Sequence, residues 1–360
     1  MSSLFLVDGK GSVSYDDLLK GAGGHILCSF IYNIINGEDV RLDRPRKNLT
    51  TKSHCHNIRS KADLINRVFS SKSRVFLNTS GTTGQKKLVS HKVSDLASDA
   101  KESSSSDVWL YTYNPFHIGG FQVLLQALTN GSSIVYAYKK NKDYILRSIK
   151  KFEVTHISAT PTFYKLLHPL EETFPGVSRV TLGGEKSDGF TFNLVSKIFP
   201  NAKITNIYAL TEAGSVLYSS TNIFKVSKDC KIINNTLHVR DRLGKFVDTG
   251  DLVSLVDDSS FVFSGRRKNI INIAGNDVNP SEIEDLIKKD KGIKDVIVHS
   301  LNNSRFGNVL ACDVVKLNKD KSENDIKQFL KKMHLEDYKI PKIINFIDNL
   351  KTSENLKSIS

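Results

Sequence analysis

From residue 75 to residue 207, short apolar runs alternate with amphipathic stretches, and this alternation narrows the fold to α/β. Val75–Leu77, Val108–Tyr111, Ser133–Tyr138, Thr155–Ser158, Arg179–Leu182 and Lys203–Ile207 read as strands. Helical stretches such as Gly120–Leu128 and Phe192–Ile198 lie between several of them. That order predicts a mostly parallel sheet with ligand loops at the strand ends. After about residue 220 the pattern changes to short strands and turns: Thr236–Val239, Leu252–Val256 and Phe261–Phe263. Arg266–Ile270 then leads into a compact unit with a helix over Ser281–Lys288, a strand over Asp295–His299 and a helix around Asp325–Lys332. The expected fold is α/β. A large N-terminal α/β domain, residues 1–267, carries the mostly parallel sheet and a distorted β region. A small α+β domain, residues 268–360, follows a boundary at Lys268. Residues 39–74 and Ser103–Ser106 read as loop-rich surface.

Composition excludes several function classes. The 39% hydrophobic and 25% charged content is that of an ordinary globular chain, and 360 residues suffice for more than one domain. No apolar run approaches the roughly 20 residues that span a bilayer. The first 21 residues carry Asp8, Asp16 and Asp17 and lack the basic-then-apolar order of a signal peptide. Cys28, Cys55, Cys230 and Cys312 are far apart and form no C-x-x-C pair, which argues against a zinc site or a disulfide framework and fits the cytoplasm. The net charge of +13 is spread along the chain: residues 266–360 hold 18 Lys/Arg against 14 Asp/Glu. Without a basic block or an aromatic RNA-binding signature, it reads as solvated lysines with some attraction for anionic cofactors, and no nucleic-acid partner is expected.

The most informative segment is Thr79-Ser80-Gly81-Thr82-Thr83-Gly84-Gln85-Lys86-Lys87. It follows the apolar run Val75–Leu77, so it belongs at a strand end. Two glycines let the backbone approach an anion, hydroxyls and backbone N–H groups supply donors, and a lysine supplies charge. It is not a Walker A loop, because Lys86 stands where the second glycine is required. Taken alone, the segment also reads as a flexible Ser/Thr/Gly linker.

With this loop the chain resembles the adenylate-forming superfamily of acyl-CoA synthetases, peptide-synthetase adenylation domains and luciferases, whose loop reads T-S-G-[ST]-T-G-x-P-K. Thr79 through Gly84 and Lys87 match, and Lys86 replaces the proline. Asn206-Ile207-Tyr208-Ala209-Leu210-Thr211-Glu212 resembles the family's Y-G-x-T-E. There the aromatic packs on adenine, the threonine contacts phosphate and the glutamate holds Mg²⁺, a fitting ligand for a hard cation. Leu182-Gly183-Gly184-Glu185 resembles a G-G-[AE] turn lining the adenine and acyl sites. Asp248-Thr249-Gly250-Asp251-Leu252 matches T-G-D-L, which assigns Asp251 to the ribose hydroxyls. Its local reading is a β-turn between two strands. The longest match runs from Gly265-Arg266-Arg267-Lys268 through Gly275 to Pro280-Ser281-Glu282-Ile283-Glu284. It implies that Arg266 reaches the ribose or a phosphate and that Lys268 is the hinge. Asn272 stands where the family usually has lysine. The four motifs follow one another in the family's order.

Aligning Leu350 with the leucine of the family's final L-P-[KR]-T-x-[ST]-G-K places Lys357 on its catalytic lysine, with Lys351 in place of proline and Leu356 in place of glycine. The alternative is an exposed lysine in a frayed tail. Asn114-Pro115-Phe116-His117-Ile118-Gly119-Gly120 resembles the P-x-[FY]-H-x-x-G segment of compact acyl- and aryl-CoA ligases, which places Phe116, His117 and Gly183 at the acyl substrate. His117 stands where amino-acid-activating members carry Asp, and this disfavours an α-amino acid. Thr160-Pro161-Thr162 matches another segment near the acyl site. Family members usually have a longer region before the phosphate loop than the 78 residues here. The resemblance implies ATP, Mg²⁺ and coenzyme A as cofactors and a small carboxylic acid as substrate. Transfer to an acyl carrier protein or an amine, and a catalytically impaired nucleotide-binding chain, remain the alternatives.

Overall fold

The computed structural model describes residues 4–43, 58–80, 86–211, 214–273, 275–303 and 307–351. Two compact units divide the chain, residues 1–221 and 222–360. The division falls where the sequence pattern changes, upstream of Lys268.

The first unit holds strands β1 (Leu4–Asp8), β2 (Gly11–Ser14), β3 (Val40–Arg41), β4 (Arg74–Ser80), β5 (Lys86–Lys92), β6 (Val108–Tyr111), β7 (Ser133–Tyr136), β8 (His156–Ala159), β9 (Arg179–Gly183), β10 (Lys203–Leu210) and β11 (Gly214–Ser219). Its helices are α1 (Tyr15–Leu19), α2 (Ile26–Ile35), α3 (Lys61–Phe69), α4 (Val93–Ser98), α5 (Ile118–Thr129), α6 (Lys142–Lys151), α7 (Pro161–Leu166) and α8 (Gly189–Ile198). Eight strands form one sheet in the order β11-β10-β9-β8-β6-β7-β1-β2. The interior pairings from β10 to β1 are parallel, and β11 and β2 close the edges antiparallel. A second sheet, β3-β4-β5, presents the phosphate-loop segment. Helix α2, with the apolar sequence ILCSFIYNII, is buried along nearly its whole length. Leu27, Phe30, Leu64, Val68, Leu96, Phe121 and Leu124 from helices α2–α5 join Phe5 and Ile134 of the main sheet in one core. Each such side chain contributes roughly 1.5–3 kcal/mol when taken from water.

Within residues 39–74, which read as loop-rich, the described residues include strand β3 and helix α3, and residues 44–57 lie outside the described ones. Helix α3 is capped by Ser60, whose Oγ accepts the Asp63 N–H at 3.1 Å, and it buries only Leu64 and Val68. Two buried positions one turn apart suffice to dock a short helix.

The second unit holds β12 (Phe224–Lys225), β13 (Cys230–Ile233), β14 (Thr236–Arg240), β15 (Phe246–Asp257) and β16 (Ser260–Arg266), an antiparallel sheet in the order β12-β16-β15-β14-β13. The hairpin β17 (Ile271–Ile273) and β18 (Asn276–Val278) follows. Then come α9 (Pro280–Ile287), β19 (Ile293–Asn303), β20 (Gly307–Lys316), α10 (Glu323–Lys332) and β21 (Ile343–Phe346), with β19-β20-β21 as a sheet. Ile283 and Ile287 of α9, Val296 of β19, Leu310 of β20 and Ile326 and Leu330 of α10 share its core. No helix among the described residues is long and apolar enough to cross a membrane.

Candidate active site

In the first unit the functional segments gather at the carboxyl ends of the parallel strands, where open α/β sheets place their ligands. Tyr113–His117 follows β6, Thr160–Thr162 follows β8, Gly183–Glu185 ends β9, and Tyr208–Thr211 ends β10. Direct contacts tie these ends together. The Thr112 hydroxyl donates to the Ser158 carbonyl at 2.8 Å. The Thr162 N–H, in the first turn of α7, donates to Glu185 Oε2 at 3.1 Å. Gly184 carries φ +83, a conformation suited to glycine, and it turns the chain so that Glu185 faces α7. A Cβ on Gly183 would sit 3.6 Å from the Tyr113 hydroxyl. Burial raises the Tyr113 pKa, a hydrogen bond with Ser158 works against it, and the Glu185 carboxylate adds to it, so the phenol stays neutral.

The Asn114–Gly120 segment forms the entry into α5. Asn114 Oδ1 accepts the Phe116 N–H at 3.0 Å, and the Asn114 carbonyl accepts the His117 N–H at 3.0 Å. His117 caps α5 by accepting the Gly119 N–H on Nδ1 at 3.1 Å, so the neutral ring carries its proton on Nε2. Its ring lies nearly parallel to Tyr113, 19° apart with centroids at 6.4 Å. Phe116 meets Phe30 edge to face at 5.8 Å. Gly120 has no room for a side chain: a Cβ would stand 2.5 Å from both the Asn114 carbonyl oxygen and the Tyr111 hydroxyl.

Thr79 and Ser80 end β4, and Lys87 lies in β5 opposite Thr79 in the antiparallel register. Gly81, Thr82, Thr83 and Gly84 lie outside the described residues, as does Glu212. Tyr208 is half-buried on β10, beside a register shift against β11. Asn206 is buried: its Oδ1 accepts from the Ser187 hydroxyl at 3.2 Å, and its Nδ2 donates to the Thr221 carbonyl at 3.0 Å. The structure thus places the Asn206 side chain as a brace between neighbouring segments. Sequence reasoning missed His91 of β5, which is buried and whose Nε2 contacts the Thr211 carbonyl oxygen at 2.6 Å. It also missed Tyr113, whose only signal was its place two residues beyond a strand.

In the second unit Asp251 and Arg266 are cross-strand partners on β15 and β16. Arg266 Nε stands 2.6 Å from Asp251 Oδ1, with the carboxylate buried and the guanidinium half-exposed. A carboxylate accepts several hydrogen bonds at once, so pairing with Arg266 is compatible with receiving a vicinal diol. The turn read from Asp248–Leu252 is instead a kink within the single strand β15. Thr236 and His238 of β14 oppose Leu252 and Asp248, so β15 carries extra residues against its neighbour, a bulge that re-aims side chains. Its geometry comes from Gly250 at φ +69, whose N–H donates to Asp248 Oδ1 at 2.8 Å. Arg267, also unassigned by the sequence reading, grips Asp248 with both terminal nitrogens at 3.0 Å and donates to Thr236 Oγ1 at 3.0 Å. Burial alone would raise the Asp248 pKa, but the Gly250 N–H and the Arg267 guanidinium hold it below the ordinary carboxylate value.

Lys268 is exposed in the one-turn 3₁₀ segment Arg267–Asn269. The long C-terminal motif closes on itself: Asn279 Nδ2 donates to the Ser264 carbonyl at 2.9 Å, and a Cβ on Gly265 would stand 2.5 Å from Asn279 Oδ1. Lys357 lies outside the described residues. Among the described residues no three His, Cys, Asp or Glu side chains gather to hold a metal ion.

The AMP-binding enzyme family model matches residues 49–260, and the AMP-binding enzyme C-terminal domain model matches residues 282–357. A 2-succinylbenzoate–CoA ligase of Staphylococcus epidermidis is 28% identical over 316 residues, spanning 76% of this chain and 65% of that protein. One from Staphylococcus aureus is 26% identical over 379 residues, spanning 94% of this chain and 74% of that protein. The chain thus spans about two thirds of the first relative's length. The structure of the Bacillus subtilis O-succinylbenzoate coenzyme A synthetase, in complex with ATP and magnesium ion, is 16% identical with a TM-score of 0.69, covering 99% of this chain and 95% of that one. ATP-bound MatB from Rhodopseudomonas palustris, 16% identical with a TM-score of 0.68, covers 98% and 93%. These structural likenesses establish the fold.

Proposed function

This chain belongs to the AMP-binding enzyme family, and on that premise we propose that it activates a carboxylic acid with ATP to an acyl-adenylate and passes the acyl group to the thiol of coenzyme A. The observation that carries this reading is the contact cluster at the ends of β6, β8 and β9, where Tyr113, His117, Thr162, Gly183 and Glu185 come from three separate segments and meet.

The substrate carboxylate attacks the α-phosphorus of ATP, and the bond to pyrophosphate breaks. Charge grows on the phosphoryl oxygens, so this chain's task is to position reactants and to stabilise that charge. Donors of Thr79, Ser80, Gly81, Thr82, Thr83 and Gly84, the cation of Lys87 and the ammonium of Lys357 serve this step. Tyr208 packs on the adenine, Asp251 receives the ribose hydroxyls, and Arg266 supports the ribose or a phosphate. Thr211 contacts phosphate. Glu212 suits Mg²⁺ as a hard oxygen ligand, and when bound the ion offsets charge on the phosphates. Gly184 and Glu185 border the adenine site. Gly183, Phe116 and His117 border the acyl group. In the second step the thiol sulfur attacks the acyl carbonyl, and AMP leaves with the electron pair of the broken bond. We place the hinge between the two half-reactions at Lys268, with domains 1–267 and 268–360, and the reaction in the cytoplasm, which the buried free thiols Cys28, Cys230 and Cys312 favour.

The test is pyrophosphate release from ATP with a panel of aliphatic and aromatic carboxylic acids, followed by addition of CoA, a phosphopantetheinyl carrier protein or an amine. Acid-dependent release with CoA thioester as product is expected. Release with no acid in the panel, though nucleotide binds, would favour an impaired homologue. Product only with the carrier or amine arm would replace CoA as the acceptor.

A further inference from the structure

We propose that His91 is a positioning residue that fixes the Thr211 backbone relative to the strand leaving the phosphate-loop segment. This inference rests on the adenylation reading and deepens it. His91 lies on β5, four residues beyond Lys87, in the antiparallel pair whose other strand supplies Thr79 and Ser80. Its side chain is buried, and its Nε2 stands 2.6 Å from the Thr211 carbonyl oxygen, across 120 residues of sequence. A carbonyl oxygen only accepts, so Nε2 carries the proton and donates. Thr211 lies just past β10, where regular pairing ends after the shift at Tyr208/Ala209. The imidazole N–H fixes the direction of this carbonyl. The β4–β5 pair and β10 belong to different sheets, and this bond bridges the two.

The geometry requirement is severe because Thr211 is assigned to the phosphates. Freeing the carbonyl would let the backbone there sample other directions and would leave a half-buried acceptor without its donor. The consequence falls on the nucleotide and on the chemical step. It should not fall on the acid, which we assign to Gly183, Phe116 and His117 on other elements.

The experiment compares His91→Leu, which removes the donor, with His91→Gln, which can return an N–H near the Nε2 position. The readouts are binding of a non-hydrolysable ATP analogue with Mg²⁺ by calorimetry, acid-dependent pyrophosphate release resolved into kcat and the two KM values, and Tm. His91→Leu should weaken analogue binding and lower kcat/KM for ATP about tenfold, the scale of one buried hydrogen bond, with KM for the acid unchanged. His91→Gln should restore most of both. Analogue affinity and ATP kinetics equal to the unsubstituted protein in a folded His91→Leu variant overturn the positioning role, as does a lowered Tm with both intact, which would mark His91 as structural alone. An unsubstituted chain that binds no nucleotide overturns the adenylation reading itself, and this inference with it.

Discussion

Asp251 and Arg266 form a pair to which we assign a role in the fold and a role at the nucleotide. The Asp251 carboxylate is buried, and the Arg266 guanidinium 2.6 Å away is half-exposed. An exposed ion pair contributes little, at most about 1 kcal/mol. Removing a close counter-ion from a buried carboxylate is different, because the charge then loses its attraction in a poorly solvated place. Arg266→Ala should therefore lower Tm by several degrees and weaken ATP binding. Asp251→Asn should weaken ATP binding roughly tenfold or more while leaving Tm within a degree or two. The double variant should recover the Tm lost in Arg266→Ala without recovering ATP affinity, since the buried charge is gone but the ribose ligand is too. Normal ATP affinity in both single variants would refute the assigned roles; a double variant less stable than Arg266→Ala would refute the buried-charge argument. At this scale Asp251 and Arg266 were legible because their motifs are rigid in spacing. His91 and Arg267 were not, because their partners, Thr211 and Asp248, are distant in sequence, and a single sequence says nothing of which polar groups will meet.

Elements were legible where packing and propensity agree. Val108–Tyr111 and Arg179–Leu182 became β6 and β9 because an interior parallel strand buries apolar side chains, here Leu110, Tyr111, Val180 and Leu182. The Asp248–Leu252 segment deceived because Gly250 signals a turn, whereas the Gly250 N–H bond to Asp248 absorbs the irregularity inside β15. Helix α3 went unread although Ser60, three residues before Asp63, was a readable cap and Leu64 and Val68 stand one turn apart. Helix α9 offers a test of how burial tunes an element. Glu284 faces β19, and its Oε1 accepts the Val298 N–H at 2.9 Å. Burial raises its pKa above 4.5, against the opposing effects of Lys288 and the Val298 N–H. The folded state therefore binds this proton more tightly than the unfolded chain. Stability from that proton is present below about pH 4.5 and is lost as pH rises through the higher folded pKa. Glu284→Gln keeps the acceptor and removes the titration. Its Tm relative to the parent should rise from pH 4 to pH 7 and then level off. A Tm difference that is flat with pH, or one that falls, would show that Lys288 and Val298 outweigh burial.

At the scale of the whole molecule, two half-reactions make opposite demands on one chain. Adenylation needs a cation beside the α-phosphate, whereas thioester formation needs the same space open to a thiol. We assign these demands to Lys357 and Lys268. Lys357 lies outside the described residues, and its assignment rests on the ungapped spacing from Leu350. Lys268 is exposed in the short turn between β16 and β17, where the preceding residue, Arg267, is anchored to Asp248. A change of backbone dihedrals at Lys268 would thus pivot against a fixed residue, the usual construction of a hinge. Lys357→Ala should slow acyl-adenylate formation by roughly 10²–10³, the loss expected for one electrostatic donor in a preorganised site. Supplied with synthetic acyl-adenylate and CoA, the same variant should form thioester at near the parent rate. Lys268→Pro fixes φ near −65° and restricts the backbone at the pivot; it should release pyrophosphate normally in a single turnover and stall before the thioester. Equal losses in both half-reactions for a folded Lys357→Ala variant would refute the division of labour. No loss in either would assign the charge of the α-phosphate to another group and leave Lys357 as part of a solvated tail.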